Sequence, residues 1–240
     1  MTPILPVNST FSKISNPVVQ YNWTTMVSAP QQQRTYFTEL EKDMPWLKDK
    51  AIITALAELK DLKFSPDDIK YLKNMGINIP YKSGAEAVKK IEKQNIRIIF
   101  DKPTEKSIHA QYDFGKNIII INEKYKNTKD FAVILAIGEA ILHEAGHAND
   151  NDGDSSVQEE LDFLGMNAVA HRAFLKKYGN IFSDAREPII RDGVSLYEEL
   201  FFDPDPDKRR LIERIKEKYG DLPSGDRMHP PGAIARAIKR

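Results

Sequence analysis

The sequence predicts an α+β fold: a small twisted sheet with one edge strand, a long helix, a following glutamate-bearing helix, and a helical subdomain ahead of them. Three observations carry this. Apolar residues recur at helical spacing from Trp46 to Ile91 and again from Phe131 to Ala148. Between these stretches, residues 96–122 switch to short β-branched runs bounded by turn formers. The second helical stretch closes on His143-Glu144-Ala145-Gly146-His147, whose two histidines are four residues apart and so share one face of a helix.

In chain order, residues 1–33 carry Pro3, Pro6, Pro17 and Pro30 among Ser, Thr, Asn and a Gln31-Gln32-Gln33 run, which reads as a flexible leader. Residues 34–95 read as the helical subdomain. Trp46, Ala51, Ile52, Ala55, Leu56, Leu59 and Leu62 form one apolar stripe. Ser65-Pro66-Asp67-Asp68 combines a cap, a first-turn proline and acids against the dipole, with a stop at Gly76. Ser83 opens a further helix through Ala87, Val88 and Ile91.

Residues 96–240 read as the domain with chemistry. Ile96–Phe100 and Asn117–Asn122 are expected strands, with a third between Ser107 and Tyr112 that turns at Asp113-Phe114-Gly115. Asn127 or Thr128 is expected to cap the motif helix. Asp150-Asn151-Asp152-Gly153-Asp154 breaks the chain, and Ser156-Val157-Gln158-Glu159 has capping-box spacing. Two further helices are expected near Asp192–Phe202 and Asp207–Tyr219.

Lysine plus arginine number 35 against 35 aspartates and glutamates. That balance argues against nucleic acid as the principal partner, because phosphate binding needs a basic surface. With no cysteine, any zinc must be held by His, Asp or Glu. Glu139, His143, Glu144 and His147 interrupt the longest apolar stretch, so no membrane span is expected. Residues 1–20 lack a basic segment followed by an apolar one. The expected location is cytoplasmic, or export by a route without a visible signal peptide.

His143 and His147 can offer both imidazoles to one ion, and Glu144 then sits beside it. Two neutral nitrogen ligands, an open position for water and a carboxylate to take its proton are what a zinc hydrolase needs. A third protein ligand must come from elsewhere. Glu160 shares its face with Val157, Leu161 and Leu164 and is preferred. Glu159, grouped with Ser155, Ser156 and Asp162 on a face expected to be solvated, is assigned to the capping box.

Strand, edge strand with Ala-x-Tyr, turn, isoleucine strand, His-Glu-x-Gly-His helix, then a Glu-bearing helix: over about residues 96–172 this order resembles the gluzincin branch of the zincin metallopeptidases, in its compact bacterial form. The resemblance implies a zinc ion (Zn2+) on His143, His147 and Glu160, with Glu144 as general base. It implies that His109, Ala110 and Tyr112 lie on an edge strand that binds an extended peptide by strand addition. Phe163-Leu164 stands where many relatives have Ala followed by Asp or Asn, a group that orients a zinc histidine, so Asp162 or Asn167 would have to take that part. His229-Pro230-Pro231 with Arg236 resembles the C-terminal His-Pro element of CaaX-processing-type zinc peptidases, which place the arginine one residue nearer. His229 and Tyr197 are the candidates for stabilising the oxyanion.

The expectation is a zinc metallopeptidase, an endopeptidase acting on a protein or peptide. Two alternatives stay open: a zincin-fold binding or regulatory module with little turnover, and a helical protein in which the motif is accidental. A calcium loop is a rival use of Asp150, Asp152 and Glu159 around Gly153, but Ala148 and Ser155 occupy two of its essential positions. His171, on the Glu160 face, lies about 16 Å further along a continuous helix and cannot share that ion. Substrate identity and oligomeric state are not legible.

Overall fold

Proline and the short polar side chains set the first elements. In this computed structural model, which describes Lys42 and residues 44–150, 155–184, 186–202 and 208–239, helix α1 spans Lys50–Lys60, and the Asp49 carboxylate accepts from Ala51 N at 2.9 Å. Helix α2 (Pro66–Asn74) starts on Ser65, whose hydroxyl accepts from Asp68 N, with Pro66 in the first turn. Helix α3 (Gly84–Lys93) starts on Ser83. A Cβ at Gly84 would stand 1.8 Å from Leu59 O, so α1 and α3 touch only because residue 84 is glycine. The expected leader, residues 1–33, lies outside the described residues.

Strands β1 (Arg97–Asp101), β2 (Ala110–Asp113) and β3 (Ile118–Asn122) form a mixed sheet in the order β1-β3-β2. β3 is central, parallel to β1 and antiparallel to β2, with Ala110 opposite Ile121 and Tyr112 opposite Ile119. All five β3 residues are buried, which explains its unbroken isoleucine run. Asn95 and Asn117 adopt left-handed φ of 52° and 54° at the entries to β1 and β3, a conformation asparagine tolerates. β2 is an edge strand among the described residues, and it packs against the helix that carries the motif.

That helix, α4, spans Phe131–Asp150. It is capped by the Asp130 carboxylate, which accepts from Ala132 N at 2.9 Å. This corrects the expected caps: Thr128 instead bonds Asp130 N and holds the capping residue in place. By length and composition α4 is the one described helix apolar enough to cross a membrane, but 83% of that apolar window is buried inside the protein. Its partners are α1, α3, the sheet and the following helix α5 (Val157–Tyr178). One apolar cluster runs from Met44, ahead of α1, through α4 and α5 to Ile238. Each large aliphatic side chain fully buried in it contributes about 1.5–3 kcal/mol.

Helix α6 (Pro188–Leu196) starts earlier than expected, because Pro188 can occupy the first helical turn without losing a hydrogen bond. It runs into a π-turn at Tyr197–Phe201. Helix α7 spans Lys208–Tyr219, and a short α8 (Ala233–Ile238), not anticipated, closes the chain.

Candidate metal centre

Four residues of helical spacing separate His143 from His147 on α4, and their rings converge. The two Nε2 atoms are 3.3 Å apart. Glu160, from the first turn of α5, reaches both: Oε2 is 3.4 Å from His143 Nε2 and Oε1 is 3.5 Å from His147 Nε2. A tetrahedral ion with ligand distances of about 2.0–2.1 Å sets its ligand atoms about 3.3–3.4 Å apart. The two imidazole nitrogens match that spacing, and the Glu160 carboxylate straddles them with one oxygen toward each, so the three side chains could hold one ion.

Glu159 is on the far side of His147. The Nδ1–H of His147 donates to Glu159 Oε1 at 2.7 Å, while Glu159 Oε2 accepts from Ser156 N and the Ser156 hydroxyl accepts from Glu159 N. The capping box forms as expected. Its face does not: Ser156, Glu159 and Asp162 are all buried, which corrects the expectation of a solvated face. One carboxylate thus caps α5 and fixes the ring of His147 with Nε2 pointing inward.

The electrostatics follow. Burial works against a charged His147, but the Glu159 hydrogen bond and the charges of Glu160 and Glu144 push it up to about 9. Burial also works against ionised Glu160, yet His143, His147 and Lys218 hold it down to about 2. Charged His147 and ionised Glu160 thus favour each other across 3.5 Å. His143 Nδ1 is buried without a hydrogen bond among the described residues. Glu144 is buried beside them, and its charge acts on His147 and on the phenols of Tyr197 and Tyr219.

Phe163 packs its ring edge-on against His147, His143 and His229, with centroids 4.8, 5.9 and 5.3 Å away. It can do so because residue 146 is glycine: a Cβ there would come within 2.8 Å of the phenyl ring. The large residue on α5 and the missing side chain on α4 are one packing solution.

Neither expected substitute for the missing orienting group bonds His143 or His147. Asp162 accepts from Asn78 N, from Gln158 Nε2 and from His229 Nδ1 at 2.9 Å. Asn167 donates to the Tyr197 hydroxyl. Glu159 does what was asked of them.

Of the two oxyanion candidates, His229 has both ring nitrogens turned to carboxylates, Asp162 and Asp150, the latter at 3.7 Å. Burial opposes its charging, but those acids raise it above the usual histidine range. Gln158 accepts from Gly232 N and donates to Gly76 O. The His-Pro segment is therefore a clamp between the C-terminus, α5 and the loop after α2. Arg236 is spent on the Pro231 carbonyl. Tyr197 is buried, its hydroxyl held by Asn167 and its ring against His171.

Tyr219, which sequence marks only as a helix end, lies in the last turn of α7, near enough to the Glu160 carboxylate for that charge to act on its phenol. Burial, then the Glu160 charge, hold its phenol protonated well above the ordinary range. No local pattern singles it out, because α7 is far from the motif in sequence.

At the sheet edge, Ala110 and Tyr112 lie on β2. The Tyr112 hydroxyl donates to Asn117. The His109 side chain is not open to a substrate: Tyr125 contacts its Nδ1 at 2.8 Å and Asp192 its Nε2 at 3.0 Å. It is a strut between β2 and α6. His171 bonds the buried Glu139 at 2.9 Å, one turn before the motif. Of the calcium-loop residues, Asp152 lies outside the described residues. Asp150 and Glu159 approach each other together with Asp226. No protein-family model, no curated protein and no solved structure matches this chain.

Proposed function

We propose that this chain is a zinc-dependent peptidase of the zincin type, in the gluzincin branch. The observation that supports it best is the convergence of His143 Nε2 and His147 Nε2, 3.3 Å apart, on the Glu160 carboxylate, whose Oε2 lies 3.4 Å from the first and Oε1 3.5 Å from the second. Its donor set, two imidazoles and one carboxylate with no thiolate, is that of hydrolytic zinc.

Zinc bound there supplies a Lewis acid that brings the pKa of its water to about 7 and polarises the substrate carbonyl. His143, His147 and Glu160 are its protein ligands. Glu144 follows His143 on α4, buried and next to the trio, and serves as the base that takes the water's proton and returns it to the departing amine. Tyr219, kept protonated by burial and by the Glu160 charge, is the donor for the developing oxyanion; His229 is held by Asp162 and Tyr197 by Asn167, both away from the two motif histidines. The β2 edge next to α4 offers backbone groups to an extended peptide.

The test is metal analysis joined to peptide hydrolysis. Purified protein is expected to carry about one zinc per chain, lost in His143→Ala and His147→Ala. Full zinc in both variants under mild chelation would refute the centre, and a zinc-loaded protein that cleaves no peptide would leave a binding module.

A further inference from the structure

His109 sits one residue before β2, and both its main chain and its ring are engaged. Asn122 N donates to His109 O at 2.9 Å, and Asn122 Nδ2 donates to Ile108 O at 2.8 Å. His109 thus turns its carbonyl to β3. Hydrogen bonding alternates along an antiparallel pair, so the next residue, Ala110, and then Tyr112 turn their N–H and C=O groups to the open side. Those are the groups an added peptide would meet.

The ring is fixed at both nitrogens. The Asp192 carboxylate, 3.0 Å from Nε2, can only accept, so Nε2 carries the hydrogen, and the Tyr125 hydroxyl donates to Nδ1 at 2.8 Å. Tyr125, in the turn Glu123–Tyr125 after β3, is buried. Asp192 belongs to α6, which rests on the motif helix: a Cβ at the next residue, Gly193, would lie 3.7 Å from Glu139 Oε2 on α4. One imidazole therefore ties the start of the edge strand to a helix that is itself braced on α4. Burial holds the ring below the usual histidine range; Asp192 works against that, and the charges of Lys124 and Lys218 work with it. Burial, then Glu187 and Asp192, keep the Tyr125 phenol protonated.

We propose that His109 is a positioning residue for the peptide: by bridging Asp192 and Tyr125 it sets where the open groups of Ala110 and Tyr112 stand relative to α4, and so which bond of an added strand falls at the centre. This rests on the peptidase reading above and needs no contact between His109 and the reacting atoms. A reacting group displaced by about 1 Å loses on the order of 10²-fold in rate. A charged ring would present Nδ1–H to the phenol and leave the buried Tyr125 hydrogen without its acceptor, so acid should loosen the same tie.

The test compares, on zinc-loaded protein, a long peptide found among its cuts in a digested proteome with the shortest truncation of it that is still cut. Removing the tie at its exposed end, in Asp192→Ala, should lower the long-to-short ratio of kcat/KM about tenfold or more and scatter the cuts along the long peptide, with zinc content unaltered. Asp192→Asn, whose amide oxygen still accepts from Nε2–H, should restore both. His109→Gln keeps a donor toward Asp192 but does not titrate. The wild-type ratio should therefore fall from about pH 7 to about pH 5 while that of His109→Gln stays level; the motif histidines serve both substrates and cancel. In Glu144→Gln, which binds without turnover, the long peptide should slow amide exchange at Ala110 and Tyr112, and less so when Asp192→Ala is added. An unaltered ratio in Asp192→Ala, or an equal loss in Asp192→Asn, overturns the positioning role and leaves the peptidase standing. A zinc-loaded protein that cuts nothing overturns both.

Discussion

His147 and Glu159 are joined by a 2.7 Å hydrogen bond from the ring Nδ1–H to the carboxylate, on the side of the imidazole away from Glu160. Adjacent glutamates on α5 therefore hold one histidine from opposite edges. Glu160 meets the nitrogen that can ligate, and Glu159 fixes the tautomer that leaves that nitrogen free. Since Glu159 also caps α5, its loss should be felt twice. Glu159→Ala is expected to weaken zinc binding about 10–100-fold and to cost about 1 kcal/mol of stability. Glu160→Ala should weaken zinc further. Competition with a chelating dye measures both, and wild-type zinc affinity in Glu159→Ala would refute the orienting role.

Glu144→Gln keeps the shape of the side chain but cannot accept a proton. Zinc content should be unchanged while peptide hydrolysis falls by about 10² or more. Cleavage within a factor of two of wild type would remove Glu144 as the base.

Tyr219→Phe deletes one hydroxyl at the rim of the centre. A single oxyanion donor is typically worth about 10²–10³ in kcat, so kcat should drop with zinc content and KM little altered. Tyr197→Phe, which removes a group bonded to Asn167, should act on stability more than on kcat. If the two variants exchange these phenotypes, the donor is Tyr197.

The sequence carried those parts of the fold that are written locally. Ser65, Ser83 and Ser156 each cap the helix expected of them, since a cap needs only its own four residues. The three strands fall within a few residues of expectation, and their order could not be read, because β1 and β2 both pair with β3 and nothing in a strand names its neighbour. The face of Glu159 was misjudged because polar neighbours look solvated in a helical projection. Here Gln158, Glu159 and Asp162 bond inward to the loop after α2, the motif helix and the C-terminal segment, and Ser156 is buried with them. Tyr219 and the Asp162–His229 clamp depend on tertiary contacts that leave no trace in spacing.

Metal-free protein should show a pH-dependent stability that the zinc form lacks. His147 is raised from its ordinary value to about 9, so its contribution is complete below about 6.5 and is lost as pH rises toward 9. Glu160 is depressed to about 2, so its contribution is present above about 4.5 and fades only as pH falls toward 2. Metal-free stability from this cluster therefore peaks between those limits and declines from pH 6.5 to 9. Zinc bound at this cluster would displace the His147 proton, so zinc affinity should rise over the same interval. Calorimetry with and without zinc should show the two Tm values diverging between pH 6.5 and 9; parallel curves would contradict the assigned partners of His147.

Gly146 and Phe163 should behave as one unit. A methyl at residue 146 would stand 2.8 Å from the Phe163 ring, and that ring is wedged against His143, His147 and His229, so it has no free direction in which to retreat. Overpacking of this kind costs about 1–3 kcal/mol, and here the displaced atoms would include the rings of His143 and His147. Gly146→Ala should therefore lower both Tm and zinc affinity. Phe163→Leu, smaller and flexible, should lose packing on its own but give room for the methyl. In the double variant the cost of Gly146→Ala should shrink, a coupling of about 0.5–3 kcal/mol in a double-mutant cycle. Strict additivity of the two changes, in stability and in zinc affinity alike, would mean that the glycine of the motif is there for the backbone of α4 rather than for the ring across from it.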